Sequence, residues 1–324
     1  MKRSLIILSL LAAACQAQPD GITESVRIVF CAGQDVRSVN PPEDMLDDVN
    51  IFIFGAGGTL EEHIWARGKA LEGGSVTVRL IKDMPYSYYI CANTGYRMPD
   101  MGEEELSRVR YYLTYPDEFG RGIPMSAVCR DVVAGEDGAV VLELSRCMAK
   151  CELRIDRSKL YSGVELDVES VEVGACPRSV SLFSESRARS ADDLFPRGYS
   201  KSGWEASALN VDVSGGMSGS LCLYLLENCQ GTLLEGSTGP EDKMFGALDK
   251  SGELCSYLEI HASYRSSRYC TKPGEYLVYR FYLGESLDNF DVRRNVNYSI
   301  VVRPEGSGLN ETSWRVDSSA LEKL

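Results

Sequence analysis

Short runs of alternating apolar and polar residues recur along almost the whole chain. A period of two lines one face of an extended strand, whereas a helix needs a period near 3.6. Ser25–Cys31, Asp48–Phe54, Glu62–Arg67, Ser75–Ile81 and Tyr86–Ala92 alternate in this way. So do Ala139–Ser145, Met148–Ile155, Val164–Val173, Ser220–Leu226, Cys255–Tyr264, Tyr276–Leu283 and Asn297–Arg303. Each run is short, rich in β-branched or aromatic residues, and bounded by Gly, Pro, Asn or Asp. In the first run Val26, Ile28 and Phe30 share one face. One helix is predicted, Glu103–Leu113, from an Asp100-x-x-Glu103 capping box, Leu106, Val109 and Leu113 at helical spacing, and the stop at Pro116. Arg178–Ser202 lacks periodicity and reads as a long exposed loop. With 324 residues and 44% hydrophobic content, the chain can bury two cores. The pattern predicts an all-β protein, two β-sandwich domains in tandem with one short helix in the first. One run ends and another begins near Ser145–Ala149, so the domains are expected at residues 15–146 and 147–324.

The start of the chain points to export. Lys2 and Arg3 precede ten apolar residues, Leu5 to Ala14, which suits a signal peptide over residues 1–14 and is too short to span a bilayer. The run ends Leu11-Ala12-Ala13-Ala14-Cys15. Small residues directly before a cysteine resemble a bacterial lipoprotein signal, in which the thiol is acylated and the cut falls before it. Cys15 is therefore the expected lipidation site, and two or more acyl chains, palmitate among them, give stable anchoring. Ten further cysteines remain, an even number in an exported chain. Cys147 and Cys151 lie four apart in a strand-like run, about 13 Å at ~3.3 Å per residue, and so should not bridge each other.

No chemistry-bearing constellation stands out. The net charge of −13 argues against a nucleic-acid partner. Only His63 and His261 are present, there is no Cys-x-x-Cys, and no metal or cofactor site is expected. His63 sits in a polar strand, His261 is expected to face solvent from a half-buried one, and neither has a defined partner. Gly55-Ala56-Gly57-Gly58 lacks the third glycine of a dinucleotide loop and reads as a hairpin turn. Gly216-Met217-Ser218-Gly219 falls one glycine short of a nucleophile elbow and reads as a turn. No enzymatic role is expected.

Taken in order, several segments resemble the fimbrillin-like superfamily of Bacteroidales, the type V pilus subunits and related surface lipoproteins. They are the first strand with Arg37 in the linker after it, Leu46-x-x-Val49-Asn50-Ile51-Phe52-Ile53-Phe54, Ile90-Cys91-Ala92-Asn93-Thr94-Gly95, Arg146-Cys147-Met148-Ala149-Lys150, Glu227-Asn228-Cys229-Gln230-Gly231, and Asn289-Phe290-Asp291-Val292-x-Arg294-Asn295-x-x-Tyr298. The resemblance implies transthyretin-like topology in both sandwiches and assembly into a fimbrium. It implies that an Arg-specific protease cuts after the first strand, at Arg37. The displaced strand, with Val26, Ile28 and Phe30, would leave a groove for a neighbour's C-terminal strand, here the region of Trp314 and Val316. The partners implied are other pilus subunits by strand complementation, the outer membrane through the lipid on Cys15, and a host or bacterial surface ligand. The implied location is the cell surface, as an outer-membrane lipoprotein of the fimbrium. The alternative is a monomeric surface lipoprotein that binds glycan or host protein through its loops, with Trp204 as the loop tryptophan.

Overall fold

The computed structural model describes residues 22–32, 43–237, 243, 248, 250–309 and 314–323. The first eight strands are β1 (Thr23–Ala32), β2 (Asp48–Phe54), β3 (Leu60–Arg67), β4 (Ser75–Ile81), β5 (Tyr86–Ala92), β6 (Arg110–Tyr112), β7 (Met125–Val132) and β8 (Ala139–Arg146). All but β6 form one sheet in the order β3-β2-β5-β7-β8-β1-β4. It folds upon itself at β7 and β8, which pair only at Met125–Arg146 and Ser126–Ser145. The two halves close over a core of Val26, Ile28, Ile51, Ile53, Val78, Tyr88, Ile90, Val140, Leu142 and their neighbours. The alternation seen in the sequence is the inward face of each strand in this sandwich.

Beyond the junction run β9 (Met148–Ile155), β10 (Val164–Gly174), β11 (Ser179–Ser181), β12 (Tyr199–Ser202), β13 (Asp212–Ser214), β14 (Met217–Ser218), β15 (Leu221–Leu226) and β16 (Asn228–Thr232). They are followed by β17 (Tyr257–Ser266), β18 (Cys270–Tyr282), β19 (Asn289–Val292), β20 (Val296–Pro304) and β21 (Trp314–Lys323). Two four-stranded sheets, β12-β10-β17-β18 and β15-β9-β20-β21, face each other across a second core that includes Leu153, Val171, Leu223, Ile260, Phe281 and Ile300. The fold is all-β, as the alternation predicts.

A third apolar cluster joins the two halves. Strand β2 is buried on both faces, because Phe52 and Phe54 point away from the first core. They meet Tyr89, Leu106, Ile123, Met148, Val180, Leu182 and Leu226. This cluster explains two differences from the sequence reading. The segment Arg178–Ser202 is not an exposed loop, since Val180, Leu182, Ser186, Ala188 and Leu194 are buried. Its apolar residues fill a junction rather than one regular face, so they show no period. The helix α1 covers only Glu103–Ser107 and then gives way to β6, which pairs with β11. Leu106, Val109 and Leu113 do enter the same cluster, but the last two do so from extended chain. The capping box does not form. Gly102 is the N-cap, and Asp100 instead takes hydrogen bonds from His63 Nδ1 (2.7 Å) and Arg97 (3.1 Å). Among the described residues no helix is long and apolar enough to cross a membrane.

Candidate functional site

The first strand lies inside its sheet. β1 pairs antiparallel with β4 over Thr23–Val29 and parallel with β8 over Arg27–Ala32. Val26, Ile28 and Phe30 point into the first core at 2%, 0% and 2% exposure, while Ser25, Arg27 and Cys31 face solvent. Each of the three buried side chains contributes roughly 1.5–3 kcal/mol of apolar burial. The ladders are closed at their ends by Arg27 N–H to Gly138 O (2.8 Å) and Phe30 N–H to Gly74 O (2.9 Å). Gly74 has φ +60°, and a Cβ there would stand 3.1 Å from the Phe30 carbonyl, so close approach requires glycine. Without β1, the unpaired edges of β4 and β8 would flank an apolar trough. Such a trough favours any strand that repeats the inward pattern.

Immediately downstream, the chain is tied to the junction between the two cores. Glu43 is fully buried. Its Oε1 sits 3.0 Å from Lys150 Nζ and accepts the Tyr224 hydroxyl at 2.5 Å, and its carbonyl accepts Arg146 Nε at 2.8 Å. Burial alone would lower the Lys150 pKa, but the hydrogen bond and charge of Glu43 outweigh it and hold the ammonium form. Burial and then Glu43 push the Tyr224 phenol well up. Arg146 and Lys150 belong to the junction motif legible in the sequence. Glu43 was missed there. Lys150 gives no local signal of it, because it alternates with Glu152 and Arg154 as on an ordinary solvent face of Met148–Ile155, and only the fold buries it.

A second tie lies one turn further on. Asn93 has φ +61°. Its Nδ2 donates to Met45 O (2.8 Å) and Ile123 O (2.7 Å), and its Oδ1 accepts Asp47 N–H (2.9 Å). Asp48 caps the same turn, accepting Thr94 N–H (3.2 Å) and Gly95 N–H (2.7 Å). The Ala92-Asn93-Thr94-Gly95 element is therefore a clamp on the chain entering β2.

Of the residues singled out from the sequence, Val26, Ile28 and Phe30 come together in the groove strand. Cys15 and Arg37 lie outside the described residues. Trp314 and Val316 are on β21, which pairs antiparallel with β20, Trp314 opposite Pro304 and Val316 opposite Val302. Val316 packs half-buried on the second core. Both histidines have partners, contrary to the sequence reading. His63 stacks on Phe52 with ring centroids 3.9 Å apart and lies within 3.2 Å of Asn50 Oδ1. His261 Nε2 is 2.7 Å from Glu259 Oε1. Gly55–Gly58 is a hairpin turn, with Gly55 N–H bonded to Thr59 O at 2.9 Å. Ser218 is buried, its hydroxyl accepting Ile155 N–H (2.8 Å) and donating to Gly219 O (2.7 Å), which leaves it a structural role. Cys147 and Cys151 are buried and unbridged, in the junction cluster and the second core respectively. Burial pushes the Cys151 thiol up to about 12, well away from reactive thiolates.

Residues 223–302 match a family model described as a domain of unknown function, DUF4906. No curated protein matches the chain in sequence. Among solved structures, a candidate cell adhesion protein of Bacteroides eggerthii superposes with a TM-score of 0.61 at 13% identity, over 93% of this chain and 96% of that one. The tip fimbrial protein Mfa3 of Porphyromonas gingivalis, C-terminally truncated, gives 0.56 at 13% identity, over 92% of this chain and 100% of that one. The fimbrilin FimA of Porphyromonas gingivalis W83 gives 0.54 at 12% identity, over 91% and 96%. The chain thus has the fold of the fimbrillin-like proteins of Bacteroidales.

Proposed function

We propose that this fimbrillin-like chain is a fimbrial subunit or fimbria-associated adhesin that assembles by strand complementation and has no enzymatic role. On this reading residues 1–14 direct export and Cys15 carries the lipid that holds the protein in the outer membrane. Residues 15–146 and 147–324 are the two domains, and Arg37 is the processing site. The observation that supports this most is the interior position of β1, with two ladders to β4 and β8 and three buried side chains. A strand so placed cannot leave without creating a groove that needs another strand. Among the described residues β21 is an edge strand with a single ladder to β20, so it leaves its sheet at lower cost and is the segment assigned as donor. The ties at Glu43 and Asn93 support the same reading, because they hold the chain downstream of residues 33–42 while β1 departs.

Limited digestion with an Arg-specific protease, followed by sizing, tests the assignment. Chain cut at Arg37 should multimerise, or capture a peptide of the β21 sequence, while intact chain stays monomeric. If residues 16–37 are removed and the rest remains a stable monomer that captures no strand, complementation is wrong. Trp204, 83% exposed, favours the second reading, a monomeric surface lipoprotein with a loop-borne ligand site. That reading requires β1 to be permanent.

A further inference from the structure

The outer face of the sheet β12-β10-β17-β18 carries a polar cluster that the groove does not use. Glu172 of β10 stands directly opposite Glu259 of β17. Like charges placed opposite one another destabilise a strand pair unless something neutralises them. His261 lies two residues along β17 and so projects from the same face. Its Nε2 is 2.7 Å from Glu259 Oε1 and 3.7 Å from Glu172 Oε1. The three atoms all lie within 4.8 Å of one another. A bulge between Val168 and Ser170 sits beside His261, where the local register is re-aimed. Among the described residues no other group of three such side chains converges in this way.

We propose that Glu172, Glu259 and His261 form a binding site for a divalent transition-metal ion, with zinc the best match. Zinc takes imidazole nitrogen and carboxylate oxygen at about 2.0–2.2 Å, so tetrahedral ligand atoms stand roughly 3.3–3.5 Å apart. The separations of 2.7 and 3.7 Å from His261 Nε2 bracket that spacing, and the third, between Glu172 and Glu259, lies within 4.8 Å, with the half-exposed Glu172 side chain free to adjust it. Calcium and magnesium fit poorly, since they require more oxygen ligands and no imidazole.

The surroundings behave as support for the ligands. Glu259 is buried, and Arg280 pairs with its Oε2, leaving Oε1 for the ion. Arg280 is itself held over the Tyr257 ring at 4.9 Å. Tyr276 stands edge-on to His261 at 6.1 Å, and its hydroxyl is fixed by Glu169 Oε2 at 2.6 Å. Such outer partners orient metal ligands. Glu172 is half exposed, so the fourth position opens to solvent and accepts water or a donor atom from another molecule. The positive charge of Arg280 weakens the site relative to one with two unopposed carboxylates. In the metal-free chain the 2.7 Å contact needs a proton between His261 Nε2 and Glu259 Oε1. The ion takes that proton's place on Nε2.

Calorimetric titration of the purified full chain with zinc chloride, under reducing conditions, tests the site. We expect saturation at one ion per chain. His261→Ala should lower the affinity by about 100-fold or more, and Glu172→Gln by about tenfold or more. His63→Ala and Cys31→Ser should bind like the parent chain. Far-UV circular dichroism checks that each variant is folded, and the half-exposed Glu172 provides a variant that does not disturb the core. No saturation at one equivalent, or undiminished binding by folded His261→Ala and Glu172→Gln, overturns the proposal. The outcome is independent of strand complementation.

Discussion

Lys150 Nζ and Glu43 Oε1 meet at 3.0 Å, with the two side chains 4% and 0% exposed. The contact joins the chain emerging from residues 33–42 to the first strand beyond the junction. Removing one member of a buried ion pair leaves the other charge uncompensated, at a cost of about 3–5 kcal/mol. Lys150→Met should therefore destabilise the protein by that order, measured by urea unfolding. Pairing it with Glu43→Gln should recover part of the loss, because no lone charge remains.

The groove strand should respond face by face. Ile28→Ala removes a fully buried side chain and should cost about 2–5 kcal/mol. Arg27→Ala, one residue away on the solvent face, should change stability by no more than about 0.5 kcal/mol. Equal effects in urea unfolding would show that β1 does not carry the first core.

Asn93 combines a left-handed backbone with three side-chain hydrogen bonds. Asn93→Gly loses the bonds but suits the backbone, and Asn93→Ala loses both. The alanine variant should be less stable than the glycine variant by about 1 kcal/mol, read from unfolding midpoints.

Asp156 supplies a pH test. Burial would raise its pKa, but hydrogen bonds from Ser158 and Arg303 outweigh this and hold it below the ordinary 3.8. The folded chain thus binds fewer protons here than the unfolded chain. The stabilisation is present above about pH 3.8 and is lost as pH falls through the lower folded value. Asp156→Asn should flatten stability across that acid window and leave its slope near neutrality unchanged.

At the start of the chain, Cys15→Ser should move the protein from the membrane fraction to the soluble fraction after cell lysis. Retention of a lipid-anchored variant would remove Cys15 as the acylation site.

The strands were legible because each is a short run rich in β-branched or aromatic residues bounded by turn residues, whether one face is buried, as in Ser75–Ile81, or both, as in Asp48–Phe54. Asp48–Phe54, Ser75–Ile81, Tyr86–Ala92 and Met148–Ile155 have the bounds that the alternation predicts. β7 was missed because a register irregularity at Arg130 and Asp131, with Asp131 at φ +54°, breaks the alternation between Cys129 and Val132, which both pack on the first core. The helix was overextended because Leu106, Val109 and Leu113 keep helical spacing while serving a junction cluster that extended chain reaches equally well. The inward face of β1 was readable from Val26, Ile28 and Phe30. Its place between β4 and β8 was not, since strand neighbours far apart in sequence leave no local pattern. The His261 cluster was hidden for the same reason: Glu172 reaches it from a different strand.

The mixed pairing of β1 has a consequence for what could replace it. β4 and β8 run in opposite directions on its two sides. Any strand inserted between them, whichever way it points, makes one parallel and one antiparallel ladder. The backbone of the groove is therefore blind to polarity. Direction must be chosen by the depth and order of the pockets that now hold Val26, Ile28 and Phe30, so a reversed peptide with a matching palindromic pattern would be the natural impostor.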